Sequence, residues 1–154
     1  MLLHDIAGPD ITLVPEKPER IGPAQPLELS LYDDSGLRSV QVVVRRGGKD
    51  MTVLRRDFPQ DTKEARLSFD LSETRLPDGA FELEIKARDT AFAGFGAGNS
   101  STLTLPIRMD TQPPRIAVHT VPPAIRRGGS ALIVYTVNKD VAETGVRNED
   151  LFFP

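Results

Sequence analysis

Histidine, cysteine and serine carry much of enzyme catalysis, and this chain of 154 residues offers few of them in a usable pattern. It contains two histidines, His4 and His119, and no cysteine. A catalytic zinc site needs about three convergent protein ligands, and a nucleophilic serine needs a nearby base. The Gly-x-Ser-x-Gly pattern of many serine hydrolases is also missing from the sequence. The sequence therefore predicts no catalytic residue, no cofactor-binding residue and no zinc ligand.

Aspartates are the remaining candidates for metal chemistry, because five of them fall in predicted turns or at predicted strand ends. They are Asp33, Asp34, Asp78, Asp89 and Asp110. Calcium takes about six to eight oxygen ligands from such loops, and Asp89 and Asp110 are expected to meet at one end of the fold. The competing interpretation is turn chemistry, in which the carboxylate bonds the local backbone. The lack of a dense Asp-x-Asp repeat favours turn chemistry, with calcium as the alternative.

Composition and charge argue against several classes of partner. The net charge is −3, and the basic residues occur as scattered pairs without interleaved aromatic residues. A nucleic-acid partner is therefore not expected. No run approaches the ~18 apolar residues of a membrane-spanning helix. The chain has no tryptophan and two tyrosines, which disfavours glycan binding by stacking. The lack of cysteine excludes a disulfide framework but is compatible with export.

Short runs with a period of two, separated by glycine and proline, predict strands rather than helices. In the run that begins at Phe81, apolar residues alternate with charged ones that are predicted to form a solvated row: Glu82, Glu84, Lys86 and Arg88. A Gly-Gly turn predicts a hairpin between strands near 40–46 and 50–57. Further runs lie near 11–14, 27–32, 65–70 and 102–107. About seven strands within residues 1–110 are typical of an all-β, immunoglobulin-like sandwich.

Residues 111–154 are predicted to start a second, incomplete β module. One strand is expected near 115–119, and another over the nearly continuous apolar run 130–137. About forty residues bury too little surface to be stable alone. We therefore expect this segment to pack on the first module or to self-associate. The chain is interpreted as one whole module and the beginning of the next in a longer protein.

Aromatic residues give the candidate partner contacts, which are Phe92, Phe95, Tyr135, Phe152 and Phe153. The first two lie in a glycine-rich segment that is expected to form a loop at one end of the sandwich. Loops in that position often carry binding contacts. The alternative for this segment is a plain connection that tucks one phenylalanine into the end of the sandwich.

Two stretches resemble bacterial immunoglobulin-like or fibronectin-type modules. The first is residues 33–42 (Asp-Asp-Ser-Gly-Leu-Arg-Ser-Val-Gln-Val). The second is residues 76–83 (Leu-Pro-Asp-Gly-Ala-Phe-Glu-Leu), continued by 87–91 (Ala-Arg-Asp-Thr-Ala) and Gly98-Asn99. The junction 110–116 (Asp-Thr-Gln-Pro-Pro-Arg-Ile) is similar to the linker that opens the following module in tandem arrays. The resemblance covers most of residues 10–118 and implies the sandwich fold, but it implies little about function.

A narrower resemblance involves residues 125–135, 141–146 and the final Phe152-Phe153-Pro154. These are similar to the region upstream of the catalytic domain in envelope zinc metallopeptidases of the lysostaphin type, which cut peptidoglycan. The resemblance implies a non-catalytic spacer, anchor or regulatory region. Its partners would be a downstream catalytic domain of the same chain and peptidoglycan or an envelope protein. Zinc would be bound downstream by His-x-x-x-Asp and His-x-His motifs, neither of which occurs here.

The same resemblance implies a periplasmic or other extracytoplasmic location, with an export signal or anchor outside this sequence. The competing hypothesis is an extracytoplasmic adhesion or protein-binding module that acts by surface contact, with loops that calcium orders. It predicts a partner held by the loop of Phe92 and Phe95. An autonomous enzyme is not expected, because the residue types that chemistry needs are missing.

Overall fold

The computed structural model describes residues 7–91, 98–121, 124, 128–139, 141, 143–148 and 150–154. In this part the chain is nearly all β, with one turn of 3₁₀ helix at Ser72–Thr74. The chain divides into two units, unit 1 (Met1–Thr111) and unit 2 (Gln112–Pro154). None of the described residues forms a helix that is long and apolar enough to cross a membrane.

Alternating apolar and polar residues form the eight strands of unit 1. They are β1 (Asp10–Val14), β2 (Arg20–Ile21), β3 (Leu27–Tyr32), β4 (Leu37–Arg46), β5 (Lys49–Asp57), β6 (Glu64–Phe69), β7 (Gly79–Asp89) and β8 (Ser100–Met109). In β3 the leucines at 27, 29 and 31 are buried, while Glu28 and Tyr32 are exposed. This is the period of two that a half-buried strand requires. The two-residue β2 was not predicted, since it is too short to show any period.

The strands of unit 1 form two sheets. One has the order β1-β3-β6, and the other has the order β2-β8-β7-β4-β5. All neighbours are antiparallel except β2 and β8, which are parallel. This division of strands is that of an immunoglobulin-like sandwich. The all-β sandwich predicted from the sequence is confirmed, and so is the hairpin between β4 and β5.

The inner faces of these two sheets supply one hydrophobic core. Leu29, Val42, Leu83 and Ile85 are fully inaccessible to solvent and come from both sheets. All the buried hydrophobic residues of the described chain lie in unit 1. Burial of one such side chain contributes about 1.5–3 kcal/mol to the stability of the fold. The core therefore determines which face of each strand is buried and which face is available for contacts.

The described residues of unit 2 form four short strands in two separate sheets. β9 (Ile116–Thr120) pairs with β10 (Val134–Val137), and β11 (Val146–Asn148) pairs with β12 (Leu151–Phe153). The predicted strand over 130–137 is wrong for its first half. Only residues 134–137 pair, with an irregular register at Val134, because the five residues of β9 provide no further partners. No described residue of this unit is buried.

Candidate functional site

Three of the five predicted partner contacts lie in unit 2. The Tyr135 hydroxyl on β10 accepts a hydrogen bond from Thr144 Oγ1 at 3.0 Å. Phe152 and Phe153 lie on β12 with exposed fractions of 37% and 55%. The Phe152 ring lies so close to Gly145 that a Cβ there would be 2.6 Å from its Cζ. Phe92 and Phe95 lie outside the described residues.

Unit 2 exposes a set of large hydrophobic side chains that we call the apolar strand surface. Its members are Ile116, Val118, Val121, Leu132, Val134, Leu151, Phe152 and Phe153. The register places apolar residues opposite each other across strands, since Val118 pairs with Tyr135 and Val146 pairs with Phe153. Single exposed apolar residues are ordinary, but a larger set marks an interaction surface. These exposed side chains, spread over the two small sheets, make unit 2 a candidate for contact with another piece of polypeptide.

In unit 1 the most buried polar group is Asp89, whose exposed fraction is 0%. Its Oδ1 accepts hydrogen bonds from the backbone N–H groups of Asn99 (2.5 Å) and Ala91 (3.1 Å). Its Oδ2 accepts one from Asn99 Nδ2 at 2.9 Å, and the same Nδ2 donates to the Ala7 carbonyl at 3.1 Å. This network, the Asp89–Asn99 network, joins Ala91 to Asn99 and joins Asn99 to Ala7, which precedes β1.

Residues 33–36 of the first motif and 87–91 of the second lie at the same end of unit 1. The Thr90 hydroxyl donates to the Ser35 carbonyl at 2.6 Å, and the Thr90 N–H donates to the Gly36 carbonyl at 2.8 Å. The turn before β4 is thereby bonded to the end of β7. Both motifs thus fix backbone geometry, which explains why they are informative about the fold and uninformative about chemistry.

The Leu-Pro-Asp-Gly motif at the other end of unit 1 is also structural. The Arg46 guanidinium donates to the carbonyls of Pro77 and Asp78, the latter at 2.8 Å. Gly79 has φ +126°, a conformation that disfavours any side chain, and a Cβ there would meet Arg46 Nη2 at 2.8 Å. The motif therefore fixes the backbone turn that leads into β7.

The expectation that Asp89 and Asp110 meet is wrong. β7 and β8 are antiparallel, with Gly79 opposite Met109 and Arg88 opposite Ser100, so the two aspartates lie at opposite ends. The described residues hold no group of three or more His, Cys, Asp or Glu side chains that could bind a metal.

The other predicted aspartates accept hydrogen bonds from described residues. Asp33 Oδ1 accepts from the Ser35 N–H at 2.9 Å, and Asp78 Oδ1 accepts from the Thr111 N–H at 2.7 Å. Asp34 accepts from the Tyr32 hydroxyl at 2.7 Å, and this bond raises the pKa of Tyr32. The Asp33 contact is the local turn chemistry that was the competing interpretation of the aspartates, whereas Asp78 bonds a residue 33 positions away in the sequence.

The outer face of the five-stranded sheet carries charges of both signs, and its acidic half is internally paired. The Arg45 guanidinium forms two hydrogen bonds with the Glu84 carboxylate, at 2.8 and 3.2 Å. It also lies 3.2 Å from Asp50 and 3.8 Å from Glu82. The bond to Asp50 and the nearby carboxylates raise the pKa of Arg45. The two glutamates of the predicted solvated row on β7 are therefore part of this ion cluster.

The basic half of the same face forms what we call the cationic band: Arg55, Lys86 and Arg88. The register places Gln41 between Arg55 and Lys86, and it places Ser39 beside Arg88. Together with Val40, these five residues line a depression of about 220 Å³. This site was not predicted from the sequence. The register of the Gly-Gly hairpin and the alternation on β7 together indicate that the three cations share one face.

A larger cleft of about 380 Å³ lies beside β5, between Met51–Val53 and the turn at Asp70–Thr74. Asp70 Oδ1 there accepts from the Ser72 hydroxyl (2.5 Å) and the Ser72 N–H (2.9 Å). These bonds lower the pKa of Asp70. The carboxylate thus supports the 3₁₀ turn, and the cleft gathers no set of groups with a chemical task.

Comparisons with known proteins identify no family. No family model matches the chain, and no curated protein matches it at a significant level. Among solved structures, an LPMO from Kitasatospora papulosa is 14% identical, with a TM-score of 0.39 over 63% of this chain and 52% of its own. An engineered protein is 18% identical, with a TM-score of 0.40 over 68% of this chain and 21% of its own.

The murine protein CRIg is 12% identical, with a TM-score of 0.35 over 68% of this chain and 98% of its own. The chain thus spans about half of the LPMO and about a fifth of the engineered protein. At these scores the similarity carries no assignment, and the sandwich assignment stands on the strand order itself.

Proposed function

We propose that the chain is a non-catalytic accessory region of a cell-envelope peptidoglycan metallopeptidase, outside the cytoplasm. In this role unit 1 is a spacer module, and unit 2 holds or regulates a catalytic domain that follows it in the same protein. The proposal rests on two observations. One is the resemblance of residues 125–135 and 141–146 to such enzymes, and the other is the set of exposed apolar side chains in unit 2.

The observation that carries the proposal is the apolar strand surface. Leu132, Leu151 and Phe153 expose 74%, 64% and 55% of their area. An isolated two-stranded sheet is at best marginally stable in water, so these strands gain most from a partner that covers them. A neighbouring domain in the same chain is the simplest such partner, because its effective concentration is high.

Backbone groups support the same role. Each strand of unit 2 pairs with one neighbour, and among the described residues no strand pairs with its other edge. Such edges accept an added strand, with main-chain bonds giving affinity and alternate side chains giving specificity. The combination of open edges and apolar faces suits a docking element that becomes ordered against a partner.

The test uses the native full-length protein and isolated sacculi. Release of soluble peptidoglycan fragments is measured with and without a chelator and after zinc is restored. A Phe153→Asp variant places a charge on the apolar strand surface, and we expect it to change the rate of release several-fold. A Met51→Asp variant is the matched control, since Met51 is also exposed (40%) but belongs to unit 1. It should behave like the wild type.

Two results would contradict the proposal. If the wild-type protein releases no fragments in a zinc-dependent way, the peptidase assignment fails. If the Phe153→Asp and Met51→Asp variants both act as the wild type does, the docking role of unit 2 fails even though the peptidase assignment survives.

The alternative function is an extracytoplasmic adhesion or protein-binding module. The Asp89–Asn99 network favours it, because it bonds Ala91 and Asn99, which flank segment 92–97 in the sequence, at an end of the sandwich where such folds often carry contacts. The expected signature is binding to isolated cell envelopes that a Phe95→Ala variant loses. Unchanged binding by that variant, with no shift of the melting temperature in calcium, would count against this alternative.

A further inference from the structure

We infer that the cationic band of unit 1 is a binding site for an acidic polysaccharide that carries carboxylate groups. Arg55, Lys86 and Arg88 surround one depression of about 220 Å³. The remaining polar groups at its surface are the Ser39 hydroxyl and the Gln41 amide. Three cations with a hydroxyl and an amide between them form a donor-rich surface that suits carboxylates and sugar hydroxyls.

The three cations are available for a ligand. Within the residues that the structure describes, none of them takes part in an ion pair or a side-chain hydrogen bond. Arg45, on the same face, contacts three carboxylates. The carboxylates of the acidic half thus neutralise Arg45, whereas the three cations of the basic half are not neutralised by an ion pair with a described residue. Two carboxylates of the described chain lie at the margin of the band: Asp57, opposite Ser39 on β5, and Glu84, two residues before Lys86 on β7. Glu84 is paired with Arg45, so the three cations of the band outnumber the carboxylate that is left to them.

The chemistry of the face favours a polysaccharide over other polyanions. Its described outward residues include Ser39, Gln41 and Thr102 beside the cations, and no aromatic residue pairs with them. Single-stranded nucleic acids need aromatic platforms on which the bases stack. A membrane surface needs apolar side chains that insert among the lipids. Hydroxyl and amide groups between cations fit a ligand that alternates carboxylates with hydroxyls.

The geometry of the sheet sets the spacing of the site. Arg55 and Lys86 are on strands that both neighbour β4, so they lie two strand spacings apart, roughly 10 Å at the backbone. Lys86 and Arg88 are two residues apart on β7, roughly 7 Å. The band can therefore contact successive acidic groups along an extended chain that lies flat on the sheet. This inference is independent of the proposed function, because the site lies in unit 1 and the docking role rests on unit 2.

The experiment measures binding of the 154-residue chain to polygalacturonate oligomers by calorimetry at low salt. Replacing one cation, as in Lys86→Gln or Arg88→Gln, should weaken binding about fivefold, and replacing both should weaken it roughly 25-fold. Arg66→Gln is the matched control, since Arg66 is exposed on β6 of the other sheet and its loss changes the net charge equally. It should bind as the wild type does. Methyl-esterified polygalacturonate, which lacks the charges, should not bind.

Folding of each variant is checked by its melting temperature, and exposed surface substitutions should leave it unchanged. The inference is overturned if the chain does not bind polygalacturonate, or if the Lys86→Gln and Arg88→Gln variants bind no more weakly than Arg66→Gln. Tighter binding to a single-stranded oligonucleotide or to anionic vesicles than to polygalacturonate would also overturn it, since the partner would then be of another class.

Discussion

Unit 1 and unit 2 are built from the same kind of alternating strand, yet they differ in what the alternation buries. In unit 1 the apolar face of each sheet is covered by the other sheet, and Leu29, Val42 and Leu83 are inaccessible. In unit 2 the apolar residues of β9 to β12 lie on two separate two-stranded sheets, and Leu151 and Phe153 are exposed. A strand pattern therefore becomes a core only when a second layer is present.

The difference also separates two kinds of role. Unit 1 has a closed core and can present a rigid polar surface, which is where the cationic band lies. Unit 2 presents apolar side chains and open strand edges, which is what a docking element needs. We propose that stability and contact are divided between the units in this way, and substitutions that match in type but differ in location test this division.

The largest effect is expected from removing a core side chain. Leu83→Ala should lower the free energy of unfolding by about 2–5 kcal/mol, because Leu83 is fully buried and a cavity would remain. The same substitution at Leu132, which is 74% exposed, should change it by less than about 0.5 kcal/mol. Urea unfolding followed by far-UV circular dichroism gives both values. Equal losses would show that unit 2 has a core of its own and would break the comparison.

The next effect concerns the buried carboxylate of unit 1. Asp89→Ala should cost about 3 kcal/mol, since two N–H groups and the Asn99 amide lose their acceptor. Asp57→Ala is the control, because Asp57 is exposed at the end of β5. The same urea titration measures both variants. A loss no greater than that of the control would mean that the Asp89–Asn99 network does not stabilise the sandwich.

A pair of glycines extends the comparison to the backbone. Gly98 has φ +71°, and an added Cβ would lie 2.5 Å from the Asp89 carbonyl oxygen, whereas Gly128 has φ +81° and open space around it. Gly98→Ala should therefore destabilise unit 1 by about 2 kcal/mol. Gly128→Ala should leave the main unfolding transition in place, because its strain falls on unit 2. Similar shifts in the two midpoints would argue that the units unfold as one.

The smallest expected effect is a change in how the melting temperature depends on pH. The Ser72 hydrogen bonds lower the pKa of Asp70 below its ordinary 3.8 in the folded chain. Its stabilising contribution is therefore full above that value and is lost as the pH falls through the folded pKa. Asp70→Asn should reduce the melting temperature slightly at neutral pH and flatten its decline below 3.8. Asp57→Asn serves as the control, and an identical acid profile for both variants would contradict this role of Ser72.

Several parts of the fold could be predicted because they depend on local pattern. The alternation in Leu27–Tyr32 and Gly79–Asp89 gave the strands, and the Gly47-Gly48 turn gave the hairpin. The two-residue β2 was missed, because its pairing with β8 arises only when the sheet is assembled. The strand over 130–137 was predicted too long, because an apolar run does not show how many residues its partner can pair.

Less of the candidate sites than of the fold could be predicted from the sequence. Tyr135, Phe152 and Phe153 were identified by residue type, and their exposure or contact with Thr144 and Gly145 came from the structure. The predicted proximity of Asp89 and Asp110 failed, because strand direction decides which ends meet. The cationic band was missed, because its members come from two strands that are neighbours of a third.

By itself the sequence determined which residues could form strands, which faces of those strands were apolar, and which residue types the chain contains. Only the tertiary structure decided which strands became neighbours. That step placed Arg55 and Lys86 on either side of Gln41, bonded Thr90 to Ser35 and separated Asp89 from Asp110. The physical reason is that side-chain alternation is a local property with a period of two, whereas sheet order and register depend on burying all apolar faces at once.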